Sequence, residues 1–212
     1  MQPDYWNKAT RHLSKQCPVM KQLITRYKGE TLRARGNGFY TLLRSVVGQQ
    51  ISVKAADAVW AKVEKTVHPM TPKKLLSVSD EKLRACGLSG SKVAYARYVA
   101  EFYLTRGVEA EHWQHHDDEA VLAELVAIKG IGSWTAEMFL IFHLMRPDVF
   151  PVKDLGVLKA INLHLLDGDA RLKSDKWLKP KEYQEISERW APYRTVATWY
   201  LWRALDPVPV AY

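Results

Sequence analysis

Apolar residues return every three or four positions along most of this chain, the spacing that turns one side of an α-helix toward a core. Residues 4 to 27 read as helix, broken near Pro18, with Trp6, Leu13, Leu23 and Ile24 as its apolar positions. Phe39, Leu42, Leu43, Val46 and Val47 share one face of a helix that Gly48 ends, and Ser52 is placed to cap the next, SVKAADAVWAKVEKTV. Thr71 followed by Pro72 starts a short helix, and Ser79 starts another that stops at Gly87. Ser91 opens SKVAYARYVAEFYLTRG, in which Val93, Tyr95, Ala96, Val99 and Phe102 line up, and Asp117 or Asp118 caps the helix that follows. Past Asp154 come LGVLKAINLHLL, a polar linker DGDARLKSDKWLK, and helices beginning at Pro180 and Pro192. No stretch alternates with the two-residue period of a strand, and no internal repeat or low-complexity tract is present. The expectation is an all-α fold of about ten helices. KGETLRARGNG, Lys28 to Gly38, is polar and glycine-containing, and is the first candidate domain boundary.

One stretch carries more than a core pattern: LVAIKGIGSWTAEMFLIFHLMRPDVFPVKDLGVLKAI, Leu125 to Ile161. Leu125 and Ile128 lie on one helix face, Gly130 and Gly132 break the helix, and Ser133 is placed to cap the next one. A turn this short needs backbone dihedrals that residues with a Cβ avoid, and a bare backbone lets a ligand approach closely. The first N–H groups of the following helix suit a phosphate. Ala136, one turn in, is small enough for the two helices to pack tightly. Taken alone, the Gly-x-Gly is equally the turn of an ordinary helical hairpin. Asp154, after a Pro-containing loop, sits where a helix begins; it is either a plain N-cap or a carboxylate held in place by capping.

Composition narrows the classes. The 212 residues suffice for one large domain or two small ones, and a hydrophobic share of 47% argues against disorder. Lys and Arg total 31 against 23 Asp and Glu, a surplus of 8 positive charges that fits a polyanionic partner without specifying one. No apolar run reaches the length of a membrane span, and no secretory segment is apparent, so the expectation is an intracellular protein. Cys17 and Cys86 are too few for a disulfide framework or a four-cysteine iron–sulfur cluster.

Leu125-x-x-Ile128-x-Gly130-x-Gly132-x-x-x-Ala136, with Asp154 following in VFPVKDLGVLKAI, resembles the helix-hairpin-helix DNA glycosylase superfamily. GIGSWTAEMFL and FPVKDLGVLKA look most like its 3-methyladenine DNA glycosylase II branch, and the resemblance covers about residues 36 to 205. It implies a middle helical domain, residues 36–146, that ends in the hairpin. A second domain is then built from 1–35 and 147–212, with the substrate cleft between the two. Some members carry an extra N-terminal β domain, for which the sequence ahead of this core is too short. The implied partner is double-stranded DNA containing damaged bases, bound by a monomer without any membrane.

The resemblance assigns roles by position. Asp154 matches the catalytic carboxylate, and Trp134 and Trp202 match aromatic positions of the base pocket, with Trp199 a weaker candidate. A cationic alkylated base gains cation–π energy on an indole, although tryptophans at helical spacing are also ordinary core, as expected for Trp6, Trp60 and Trp190. The sequence departs at Leu155, where the type enzyme of that branch has a Tyr beside its Asp, so one wall of the pocket is not carried over. GQQIS matches the loop that fills the gap left by a flipped nucleotide, with Gln50 at the wedge position; otherwise it is a polar loop with a cap at Ser52. Gly130 and Gly132 would hold a DNA phosphate, and related hairpins also bind a monovalent cation through carbonyls; no other cofactor is implied.

Trp134 stands where bifunctional members carry a nucleophilic Lys, so no Schiff base and no strand cleavage are expected. Lys129 and Lys153 are nearby but off that position. His112, His115 and His116 in HWQHHDDE lack a cysteine or HExxH context and read as a solvated turn rather than a metal site. The reading is a monofunctional glycosylase acting on alkylated purines. Its alternatives are another base specificity on this scaffold and a non-catalytic DNA-binding module. An intact Asp154 argues against the latter, since mere binding has no need of a carboxylate beside a polyanion.

Overall fold

Every regular element among the described residues of this computed structural model (2–34, 37–106, 112–166 and 177–205) is a helix. In chain order they are α1 (Trp6–Gln16), α2 (Pro18–Arg26), α3 (Gly38–Gly48), α4 (Val53–Thr66), α5 (Pro72–Ser77) and α6 (Asp80–Ala85). Then follow α7 (Gly90–Arg106), α8 (Asp118–Val126), α9 (Ser133–Phe142), α10 (Leu155–His164), α11 (Pro180–Glu188) and α12 (Arg194–Leu205). None of these helices is long and apolar enough to cross a membrane. The chain divides into two compact units: residues 1–34 with 145–210, and the intervening segment from residue 35 to 144.

The first unit is built around α12, which packs on α1, α2 and α10. Thr195 through Arg203 are all buried, so this helix touches its surroundings on every side, as the dense TVATWYLW composition requires. Trp6 meets Trp199 edge-on with centroids 5.2 Å apart and tilts against Tyr200 at 5.8 Å, which makes Trp199 part of an aromatic core. Arg203 is buried too, but its Nε donates to Glu30 Oε2 at 2.9 Å and its guanidinium lies over the Tyr27 ring, so the charge has partners.

The second unit is centred on α3, in which every residue but the half-buried Tyr40 is buried, and which packs on α4, α7 and α9. Its one charge, Arg44, is paired with Asp57 and faces Trp60. Trp60 and, in the first unit, Trp190 are core residues, as expected.

Helix starts follow the side-chain chemistry, with three shifts. Asn37, Ser52, Thr71, Ser79, Asp117 and Asp154 each accept an N–H in the first turn of the helix they precede. At α7 the acceptor is Ser89, which takes the Lys92 N–H, rather than Ser91. Gly132, not Ser133, is the N-cap of α9, because Ser133 is already helical while Gly132 is extended. And α12 begins at Arg194 rather than Pro192, since an outside carboxylate, Asp148, accepts the Arg194 N–H at 3.0 Å. Of the expected linker at 167–179, residues 167–176 lie outside the described residues, as do residues 35 and 36 of the first connector.

Asp148 also receives both Nε and Nη2 of Arg194, each at 2.8 Å. Thr195 adds a second clamp: its hydroxyl donates to Arg146 O at 2.6 Å and accepts the Val149 N–H at 2.9 Å. The start of α12 is thereby locked to the segment that runs on to Asp154. Burial alone would raise the Asp148 pKa, but the hydrogen bonds and charge of Arg194 outweigh it and hold the carboxyl below the ordinary range. A carboxyl depressed in the folded state binds fewer protons there than in the unfolded chain. Its stabilisation is therefore full above about pH 4 and is lost as pH falls through the depressed value. For a pair this accessible, the worth is on the order of 1 kcal/mol or less. Asp148→Asn should melt a few degrees below wild type at neutral pH, with the gap closing on acidification toward about pH 2. Thermal melts across that range check both the offset and its closing.

Candidate active site

Two tight turns deliver Asp154 to the head of α10: Val152 N–H donates to Phe150 O at 2.9 Å and Asp154 N–H to Pro151 O at 2.8 Å. The Asp154 backbone is extended, and its Oδ1 accepts the Val157 N–H at 2.8 Å, so the residue is a true N-cap. It is also only 5% exposed, which an ordinary cap is not. A carboxylate taken this far from water needs hydrogen-bond donors. The second donor comes from 48 positions along the chain: Trp202 Nε1–H reaches the same Oδ1 at 3.0 Å. Trp202 is itself 3% exposed, so its indole is fixed by packing before it fixes the carboxylate.

Gly156 completes this arrangement. A Cβ there would lie 3.1 Å from Asp154 Oδ1, tight enough to press on the carboxylate, and 3.4 Å from Trp202 Cδ1, in van der Waals contact with the indole. Leu155, by contrast, is 71% exposed, a large apolar side chain left open beside the buried carboxylate. A fixed, buried carboxylate of this kind is suited to stabilising a positive charge that develops in front of it, or to orienting a water molecule.

The hairpin lies in the other unit, where α8 and α9 pack together with Leu125, Ile128 and Ile131 buried. Its glycines have different causes. Gly130 has φ +91°, and a Cβ there would stand 2.2 Å from the Tyr95 ring, so the fold itself demands glycine. Gly132 is extended and exposed, and nothing lies within 4 Å of where its Cβ would be. Its place as the extended N-cap of α9 suits a glycine, and it leaves the backbone bare on the outside. Trp134 is half-buried one position into α9. The Lys129 ammonium lies over the Tyr98 ring, and Lys153 is exposed.

The loop GQQIS is tied to this hairpin. Gln49 donates through Nε2 to Gly130 O at 3.1 Å and to Thr135 Oγ1 at 2.9 Å. Lys92 reaches in from α7 and donates to Val47 O and Gln49 O, both at 2.7 Å; burial pulls its pKa below the ordinary lysine value. These bonds hold the end of α3 and present Gln50 exposed, in the left-handed region at φ +58°.

The structure thus unites Asp154 with Trp202, and the GQQIS loop with Gly130, in separate units. Sequence reasoning had passed over Gly156, Gln49 and Lys92. Gly156 and Gln49 lie inside motifs already singled out, whereas nothing in the sequence distinguishes Lys92 from other lysines.

Residues 43–192 match the HhH-GPD superfamily base excision DNA repair protein family. DNA-3-methyladenine glycosylase 1 of Schizosaccharomyces pombe is 32% identical, over 92% of this chain and 86% of that protein. Among solved structures, the Schizosaccharomyces pombe 3-methyladenine DNA glycosylase in complex with abasic DNA superposes with a TM-score of 0.81 at 30% identity, covering 97% of this chain and 99% of that one. The DNA-3-methyladenine glycosidase of Bacillus halodurans gives 0.71 at 35% identity, covering 91% and 86%. With more than half of its length matched to the family, this protein belongs to the HhH-GPD superfamily of base excision DNA repair proteins.

Proposed function

We propose that this protein is a monofunctional DNA glycosylase that removes alkylated purines, such as 3-methyladenine and 7-methylguanine, from double-stranded DNA and leaves an abasic site. The observation that carries this reading is Asp154, buried and held through Oδ1 by Val157 N–H and Trp202 Nε1–H, in a chain similar to 3-methyladenine glycosylases. Breaking an N-glycosidic bond builds positive charge on the sugar, and a fixed carboxylate stabilises that charge and orients the attacking water. An alkylated purine already carries positive charge and leaves without a general acid, so one carboxylate suffices where O-glycosidases need two.

The remaining roles follow by chemistry. A stacked base is out of reach of any active site, so the nucleotide is flipped out of the duplex and Gln50 fills the space it leaves. Its exposure at the crest of a loop braced by Gln49 and Lys92 supports that role. The hairpin backbone at Gly130 and Gly132 holds a phosphate, a contact that positions without reading sequence. The indole of Trp134 stacks on the cationic base. With Trp134 where a lyase has its amine, and the ammonium of Lys129 engaged over Tyr98, hydrolysis ends at the abasic site. Trp202 has a second duty besides bordering the base: it orients the carboxylate.

Asp154→Asn tests the reading. Asn caps helices as well as Asp does, so the fold and the binding of abasic-site DNA should persist, while release of methylated bases falls at least roughly a hundredfold. Chromatography of the bases released from methylated DNA, beside a gel-shift assay, measures both. Excision by the variant at near wild-type rate would reduce Asp154 to a cap and leave a DNA-binding module.

The two hairpin glycines give a second test. Gly132→Ala should cost no more than about 1 kcal/mol of stability, the difference between a Gly and an Ala N-cap, yet bind DNA about tenfold more weakly or worse, because its methyl meets no other residue and intrudes on an incoming phosphate backbone. Gly130→Ala should instead lose roughly 1–3 kcal/mol of stability. Equal DNA affinity for Gly132→Ala and wild type would remove the hairpin from the DNA-binding surface.

A further inference from the structure

The stretch HWQHHDDE gains a specific neighbour in the fold. Trp113 is 1% exposed and packs on Phe102 and Phe139 with ring centroids at 6.4 and 5.4 Å, which pins the turn at 112–116 to its unit. Pinned there, His112 and His116 meet Glu124 of α8. His112 Nε2 lies 3.0 and 3.2 Å from the two Glu124 oxygens, and the two imidazoles stack with centroids 5.2 Å apart. One donor atom from each of the three residues lies within 4.8 Å of the others, and all three side chains are half-buried. His115 is exposed and outside the cluster.

We propose that His112, His116 and Glu124 form a binding site for a late first-row divalent cation, with Zn²⁺ the ion to test. Two imidazoles and one carboxylate are the donor set that zinc, cobalt, nickel and copper take, whereas magnesium and calcium demand oxygen. Zinc bonds of about 2.0 Å at tetrahedral angles put neighbouring ligand atoms roughly 3.3 Å apart, close to the existing spacing of His112 Nε2 from Glu124. The His116 Nδ1 lies 2.8 Å from His112 O, and a carbonyl only accepts, so in the neutral imidazole the proton belongs on Nδ1 and Nε2 is the nitrogen left to ligate a metal. On binding, the single proton of the His112–Glu124 hydrogen bond leaves to solvent, and water takes the remaining coordination position. The cation then cross-links the 112–116 turn to α8, the first helix of the hairpin, and the site needs nothing from Asp154.

The experiment uses the full chain after dialysis against chelator, titrated with Zn²⁺ by calorimetry and with Co²⁺ by absorption. We expect one equivalent of Zn²⁺ to bind at about ten micromolar or tighter and to displace Co²⁺. His116→Gln and Glu124→Gln should each weaken binding at least about tenfold, and His115→Ala should leave it unchanged. Zn²⁺ should raise the melting temperature of wild type and His115→Ala but not of the two ligand variants. If either ligand variant fails to fold without metal, the other and His112→Gln carry the same reading. Absence of stoichiometric binding overturns the proposal. So does binding that His115→Ala weakens as much as His116→Gln, which would mean an adventitious ion on an exposed histidine.

Discussion

The hydrogen bond from Trp202 Nε1 to Asp154 Oδ1 is the constraint on which the candidate site depends. A carboxylate that is only 5% exposed is costly to bury unless donors face it, and its donors include a local one and a remote one. The local one, Val157 N–H, comes with the start of α10. The remote one requires α12 to sit at the correct height and rotation, and its clamps accomplish that: Asp148 and Thr195 at its start, and Glu30 with Tyr27 around Arg203 near its end. Gly156 is the residual condition, since a side chain there would press on the Asp154 end of the bond and abut the indole. The chemistry proposed for Asp154 is thus a property of how one unit packs.

The hairpin unit solves a different problem, leaving backbone bare at Gly132 without losing its shape. Gly130 is glycine because the chain turns through φ +91° against Tyr95, and Gly132 is glycine although the chain leaves room for a side chain. Behind them, Gln49 and Lys92 occupy the carbonyls of Gly130, Val47 and Gln49 with side-chain donors. Because both braces start from the ordered helices α3 and α7, the loop that carries Gln50 is fixed in a left-handed turn that a side chain seldom adopts unaided.

Local signals were legible in the sequence and distant ones were not. The helical period, the caps at Ser52, Thr71 and Ser79 and the position of Asp154 at a helix start all depend on residues within a turn of one another. Ser91, Ser133 and Pro192 misplace their helix starts by one or two residues, because Ser89, Gly132 and Asp148 take the capping positions. Trp202 stands out in the sequence by resemblance, but the partner of its N–H, 48 residues away, does not. The two glycines of the hairpin look alike in sequence and differ in backbone conformation and in what stands beside them in space. HWQHHDDE reads as solvated because Glu124, which completes its cluster, lies outside the run.

The measurement that tests the account most directly is single-turnover release of 7-methylguanine by Trp202→Phe, at a temperature where variant and wild type are both folded. Phenylalanine keeps an aromatic ring in the core while removing the outer part of the indole and, with it, the N–H that faces Asp154. A hydrogen bond to a charged group is worth about 1.5–3 kcal/mol, so the account predicts a rate roughly ten- to a hundredfold lower with abasic-site binding retained. Release at the wild-type rate would contradict it, because the carboxylate would then need no orientation from α12.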